Sequence, residues 1–210
     1  MPASASGGHL DLFILVADKD MEFALKGILG RPERLRIRRI SYQVAIHPQR
    51  DPGVRKRCHA FLRPFVGSAD HVLVMLDREG CGDPARREEI EADIEGRLAV
   101  NGWSQRCAAI ALDPELEVWA WSDSPHVPRA LGWDGTPEEF KDWLANEGRF
   151  ASGDPKPRRP KETLDAVLRR TQKRRSSAIF LEIASKVSFE RCTDPAFEKL
   201  QSVLRGWFPV

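Results

Sequence analysis

The chain has 210 residues, 41% of them hydrophobic and 30% charged, and a formal net charge of +2, which supplies enough apolar material for a packed core and excludes a wholly solvated chain. Its longest apolar runs, Leu12 to Ala17 and Val72 to Leu76, fall far short of the roughly 20 residues that cross a bilayer, so a helical membrane protein is excluded as well. The near-neutral total hides segregation: ten Lys/Arg between Arg31 and Arg63 and ten between Arg149 and Arg175 flank an acidic centre, in which Asp77 to Arg97 carries eight acids and Asp113 to Glu147 nine.

Taken in chain order, Met1 to Gly8 is rich in Pro, Ala, Ser and Gly and has no basic stretch before an apolar run, so it reads as a lead-in to a cytoplasmic protein. Leu10 to Ala17 has the composition of a buried strand. Asp18 to Leu29 then places Phe23, Leu25 and Ile28 on one helical face and is stopped by Gly30 and Pro32. Ile40, Tyr42, Val44 and Ile46 alternate with smaller or polar residues as a strand does, Val54 to Phe65 has helical spacing, and His71 to Leu76 is a nearly continuous apolar run. Asp83-Pro84 predicts a cap and first turn for a helix reaching Asn101, Arg106 to Leu112 is a further strand, and Asp113-Pro114 predicts a helix through Trp121. Thr136-Pro137-Glu138-Glu139 is a capping box that opens a helix through Asn146.

Strands alternating with helices over residues 9–147 predict an α/β domain with a mainly parallel sheet flanked by helices. Residues 148–161 form a basic, Pro-rich linker or loop. Residues 162–210 show three helical patterns, too short for a core of their own, and read as a helical C-terminal cap of the same domain. The four cysteines, at 58, 81, 107 and 192, have neither zinc-site nor disulfide-framework spacing and read as reduced thiols.

The segment Val72-Leu73-Val74-Met75-Leu76-Asp77-Arg78-Glu79-Gly80-Cys81-Gly82 carries the first candidate chemistry: a strand ending in Asp-x-Glu delivers two carboxylates to the carboxyl edge of the sheet. If the extended conformation persists, Asp77 and Glu79 point the same way and share one hard cation, Mg²⁺ or Mn²⁺. A strand-end turn of solvated acids is the alternative. Farther on, Glu115 and Glu117 lie about 200° apart on a helix, so only one of them is expected to join a common site, and Glu117 is preferred. Trp119 and Trp121 offer stacking faces for bases but fit a core helix better. A phosphate-binding P-loop and a serine-hydrolase elbow are both missing from the sequence.

These elements resemble the Toprim fold of topoisomerases, primases and overcoming-lysogenization-defect nucleases, in which an acid after the first strand and a D-x-D motif after a later one hold Mg²⁺ at a phosphodiester. Asp77 and Glu79 match the second element. At the first, Ala17 stands where the pattern has Glu, so either Asp18 substitutes after a one-residue shift or the site is degenerate. Asp113 to Asp123, Val16 to Glu22, Trp121 to Val127 and Arg191 to Phe197 resemble a Toprim-like family of bacterial defence-island proteins, in particular the small Toprim-like component of methylation-associated phage-defence systems.

The resemblance implies a component of an anti-phage system: a Mg²⁺- or Mn²⁺-dependent nuclease with Asp77, Glu79 and Glu117 catalytic and Asp77, Glu79 and Asp18 on the metal. The alternative it leaves open is a non-catalytic adaptor that docks other defence proteins, DNA or RNA. Under either reading the basic tract, including Arg158, Arg159, Arg169, Arg170, Arg174 and Arg175, is the expected polyanion contact.

Overall fold

Every side chain from Leu12 to Val16 is fully enclosed, as a strand paired on both sides and covered on both faces requires. In the computed structural model, which describes residues 8–150, 154 and 156–210, this strand is β1 (Leu10–Val16). It pairs in parallel with β2 (Tyr42–Ile46) and β3 (Ala69–Asp77), and β3 carries β4 (Cys107–Leu112) on its other side. The order is β2-β1-β3-β4, so the protein is an α/β fold with an all-parallel sheet.

Between the strands run α1 (Lys19–Leu29), α2 (Pro32–Leu35), α3 (Arg50–Leu62) and α4 (Arg87–Leu98). After β4 come the short α5 (Glu117–Ala120) and α6 (His126–Ala130), then α7 (Pro137–Asn146), α8 (Pro160–Thr171), α9 (Ser177–Lys186) and α10 (Pro195–Trp207). The C-terminal helices share the sheet's apolar core: α9 packs on α1, and α10 packs on β4 and α2.

Local signals explain most boundaries. Asp18 caps α1 by accepting the Met21 N–H at 2.9 Å, Asp194 caps α10, and the Thr136/Glu139 box opens α7 as the sequence predicts. Other expectations are corrected. Asp83 does not cap α4; it accepts the Ala85 N–H and pairs with Arg55, and the helix begins only at Arg87. The helix expected from Asp113 shrinks to the four residues of α5, preceded by irregular chain through Leu116. Residues 1–7 of the lead-in lie outside the described residues, as do 151–153 and 155 of the basic loop. No helix among the described residues is long and apolar enough to cross a membrane, and the four thiols are free.

Strand β4 is an edge, and its outward N–H groups need partners. Glu91 and Glu95, one turn apart on α4, supply them: Glu91 accepts the Ala111 N–H and Glu95 the Ala109 N–H, each at 2.9 Å. Lys199 of α10 bridges both carboxylates at 3.1 and 2.7 Å, so the edge is closed by charge-assisted bonds. Glu91 is 3% exposed. Glu91→Ala strands a buried amide and weakens the grip on Lys199, and is expected to lower the unfolding free energy by roughly 2–4 kcal/mol. Urea denaturation checks this; a loss below about 0.5 kcal/mol, the scale of an ordinary surface change, would show that water replaces the carboxylate.

Candidate acidic site

In a parallel sheet all carboxyl ends lie on one edge, and here all four strands send an acid there. The chain leaving β1 reaches Asp18, that leaving β2 reaches Asp51 on the first turn of α3, β3 ends on Asp77, and β4 leads to Glu115 and Glu117. The connection from β2 to β3 passes over β1, so the switch in direction falls between β1 and β3, where open α/β sheets form their binding crevices.

The centre is tied together through the backbone. The Asp77 N–H donates to Asp51 Oδ1 at 2.7 Å, and Asp77 Oδ1 accepts the Leu116 N–H at 2.8 Å, fixing the irregular chain before α5 against the end of β3. Gly80 lets the turn after β3 pass close over Asp51, where a Cβ would stand 2.9 Å from its Oδ2. Asp77, Glu115 and Glu117 each contribute one carboxylate oxygen to a group lying within 4.8 Å of one another. Burial, then the charges of Asp51, Glu117 and Asp18, push the Asp77 carboxyl well above the usual range. Burial also raises Asp51, with Asp18 adding, and burial raises Glu115, with Glu117 adding.

Two cations from the C-terminal region enter this group. Lys161 Nζ donates to Glu115 Oε2 at 3.3 Å. Arg175, in the connection between α8 and α9, donates to Glu117, reaches Asp165 at 2.9 Å and Asp20 at 3.4 Å, and so joins carboxylates from α5, α8 and α1. Although burial opposes its charge, these acids raise its pKa on balance, as Glu115 and Glu117 do for Lys161.

Several of the predicted residues are therefore placed differently from their expected roles. Glu79 does not stand beside Asp77: the strand ends at Asp77, the chain enters a 3₁₀ turn over Glu79–Cys81, the two-residue alternation stops, and Glu79 is exposed outside the group. Glu115, set aside on a helical-wheel argument, joins Glu117 because the chain at 115 is not helical. Asp18 is close enough to act on Asp51 and Asp77, yet its Oδ1 is engaged in capping α1. Asp51, missed in the sequence, carried a signal only in following a strand whose end shares the edge. The arginines expected to contact a polyanion are all exposed; Arg175 pairs with the acidic centre, and Arg158 pairs with Asp154 at 3.0 Å. Trp119 donates to Asp194 and Trp121 to the Pro160 carbonyl, both inside packed structure.

The donor set fits a hard divalent cation. Oxygens about 2.1 Å from Mg²⁺ stand roughly 3 to 4 Å from each other, a spacing compatible with the three carboxylates, and the Arg175 and Lys161 cations already sit on two of them. No known family model matches the chain, and no curated protein or solved structure is significantly similar to it.

Proposed function

We propose that this protein is a metal-dependent phosphodiesterase acting on nucleic acid, in the anti-phage setting that the Toprim-like resemblance implies. The observation that supports it most is the convergence of Asp77, Glu115 and Glu117 at the carboxyl edge of the sheet, beside the switch in strand direction. A bound Mg²⁺ or Mn²⁺ supplies neutralisation of a phosphate oxygen and a water acidic enough to attack.

The chain's own residues do the rest. Asp77 is held by the Leu116 N–H in one orientation, so its carboxylate would be presented to the cation without reorganisation. Lys161 and Arg175 stand beside the carboxylates that would hold the ion and would be available to phosphate oxygens there, Arg175 with the forked donor set that matches phosphate. Arg169, Arg170 and Arg174 extend exposed positive charge along α8 and its following connection, where a polyanion backbone can be tracked without reading bases.

Purified protein is expected to cleave DNA or RNA with Mn²⁺ but not with EDTA. Asp77→Ala and Glu115→Ala should each lower the rate at least about a hundredfold, on the scale of a lost electrostatic contact to the reacting group, while Glu79→Ala stays within about threefold. Equal losses from all three would return Glu79 to the site; no cleavage under any condition, with Asp77→Ala still protecting cells from phage, would favour the second reading. That reading is a non-catalytic adaptor for a larger defence protein or nucleic acid, and the observation in its favour is that Arg175 and Lys161 already neutralise the acids.

A further inference from the structure

The two edges of the sheet are finished differently. At β4 the carboxylates of Glu91 and Glu95 take the outward amides of Ala111 and Ala109, whereas β2, the opposite edge, has no such cover among the described residues. Which groups of β2 are left over follows from its register. The Leu12 N–H donates to the Ser41 carbonyl and the His47 N–H to the Val16 carbonyl, so every second residue, from Ser41 through Gln43 and Ala45 to His47, bonds to β1. The N–H and C=O groups of Tyr42, Val44 and Ile46 therefore point away from the sheet, and no described residue hydrogen-bonds to them. Tyr42 and Val44 are half-buried and Ile46 is 38% exposed, so apolar side chains flank this row of backbone groups. Such an edge is a template for an added strand.

Charge restricts what can be added. Arg39 precedes the strand, Arg50 follows it, and Arg57 on α3 lies near its carboxyl end, where burial and then the Arg57 charge lower the His47 pKa. All three are exposed, and none is in an ion pair among the described residues, while their neighbours Arg38 and Arg55 are paired with Asp11 and Asp83. Asp11 on β1 and Glu22 on α1, the acids of the adjoining elements, are already neutralised by Arg38 and Lys26. A second copy paired antiparallel about Val44 would set Arg39 of one chain beside Gln49 and Arg50 of the other, so the edge repels its own kind. A nucleic acid would satisfy the cations but has no alternating row of amide donors and acceptors to match the strand.

We propose that β2 is a docking edge for an extended acidic segment of another protein, which adds as a further strand on the backbone of Tyr42, Val44 and Ile46 and is selected by Arg39, Arg50 and Arg57. Backbone bonds supply the grip and the unpaired cations the choice of partner. The edge uses none of the side chains of the acidic centre, so it stands independently of the phosphodiesterase reading.

The probes are fluorescein-labelled heptapeptides, one of alternating glutamate and valine and one of alternating lysine and valine, titrated into the full-length protein and followed by anisotropy. The acidic peptide is expected to bind at least about tenfold more tightly than the basic one and to shift the NMR amide signals of Tyr42, Val44 and Ile46. Val44→Pro removes one outward N–H and none that bonds to β1, at a place where an edge strand accepts proline, and should weaken binding at least about tenfold. Val44→Thr, which keeps the N–H, should bind as wild type does, and Arg39→Glu combined with Arg50→Glu should turn the preference toward the basic peptide. If Val44→Pro does not fold, a fully N-methylated acidic peptide, which has no amide donors, carries the comparison and should not bind. Equal binding of the two peptides, no binding of either at millimolar concentration, or binding that Val44→Pro and N-methylation leave unchanged would overturn the docking edge. So would a dimer that Val44→Pro dissociates in sedimentation, which would give the edge to a second copy. Oligothymidylate that displaces the peptide and binds Val44→Pro as well as wild type would overturn it too, by giving the cations to nucleic acid.

Discussion

Asp77→Asn is expected to raise the melting temperature of the metal-free protein at pH 7 and, in the same molecule, to remove Mn²⁺-dependent cleavage. Burial and the charges of Asp51, Glu117 and Asp18 hold the Asp77 carboxyl well above its usual range, while an unfolded chain ionises it near pH 3.9. Above that pH the unfolded state has released its proton and the folded state has kept it, so stability falls as pH rises toward the folded value. Asparagine is neutral in both states and keeps an Oδ1 for the Leu116 N–H that Asp77 accepts at 2.8 Å. Each pKa unit between the folded and unfolded carboxyl corresponds to about 1.4 kcal/mol, so the variant's gain is read as a higher melting point than that of the wild type. Calorimetry from pH 4 to pH 8 in EDTA should show the gain growing from near zero at the acid end. In Mn²⁺ the order should reverse, because only the wild-type carboxylate binds the cation. A variant that is less stable at every pH would mean that Asp77 is ionised and serves its neighbours as a structural anion.

How far such a centre is legible from residues alone depends on the range of the signal. Strands β1 and β3 announce themselves as short apolar runs because a central parallel strand is covered on both faces, and Thr136/Glu139 announces α7 because capping is decided within four residues. The Asp-Pro dipeptides are ambiguous for the same reason. Asp194-Pro195 caps α10, Asp51-Pro52 lies inside the first turn of α3, and Asp83-Pro84 and Asp113-Pro114 sit in bends where the acid takes Arg55 or Arg78 instead. Nothing local separates these outcomes.

Helix α6, five residues with Pro128 inside, is too short to show a period. The acidic site is harder still, being a tertiary product of strand order. Asp77 was visible as the end of a strand, but Asp51 needs β2 to lie beside β1, and Glu115 needs the chain before α5 to stay irregular. The basic tract was visible as composition, yet composition could not show that Arg175, itself exposed, pairs with acids drawn from three helices.

That pairing gives the second large effect. Arg175→Ala is expected to destabilise the metal-free protein by roughly 2–4 kcal/mol, because Glu117 is only 3% exposed and loses the guanidinium that neutralises it. Lys161 stays with Glu115, so the lost charge is not made up from within the site. Arg175 reaches the acids from the connection that follows Gln172, whose φ of 56° ends α8, and this segment belongs to neither helix, so its side chain can withdraw without unwinding one. A divalent cation that enters must displace the guanidinium in the wild type and meets vacant carboxylates in the variant. Mn²⁺ should therefore bind Arg175→Ala about tenfold more tightly, and saturating Mn²⁺ should restore most of the lost stability through its preference for the folded state. Arg175→Lys, which keeps one positive charge, should fall between the two. Urea denaturation with and without Mn²⁺, paired with calorimetric titration of the cation, reads both effects in one preparation. If Arg175→Ala loses stability that Mn²⁺ does not return and binds the ion no better, the guanidinium is a strut among α1, α5 and α8, and the carboxylates are its partners and not a metal's.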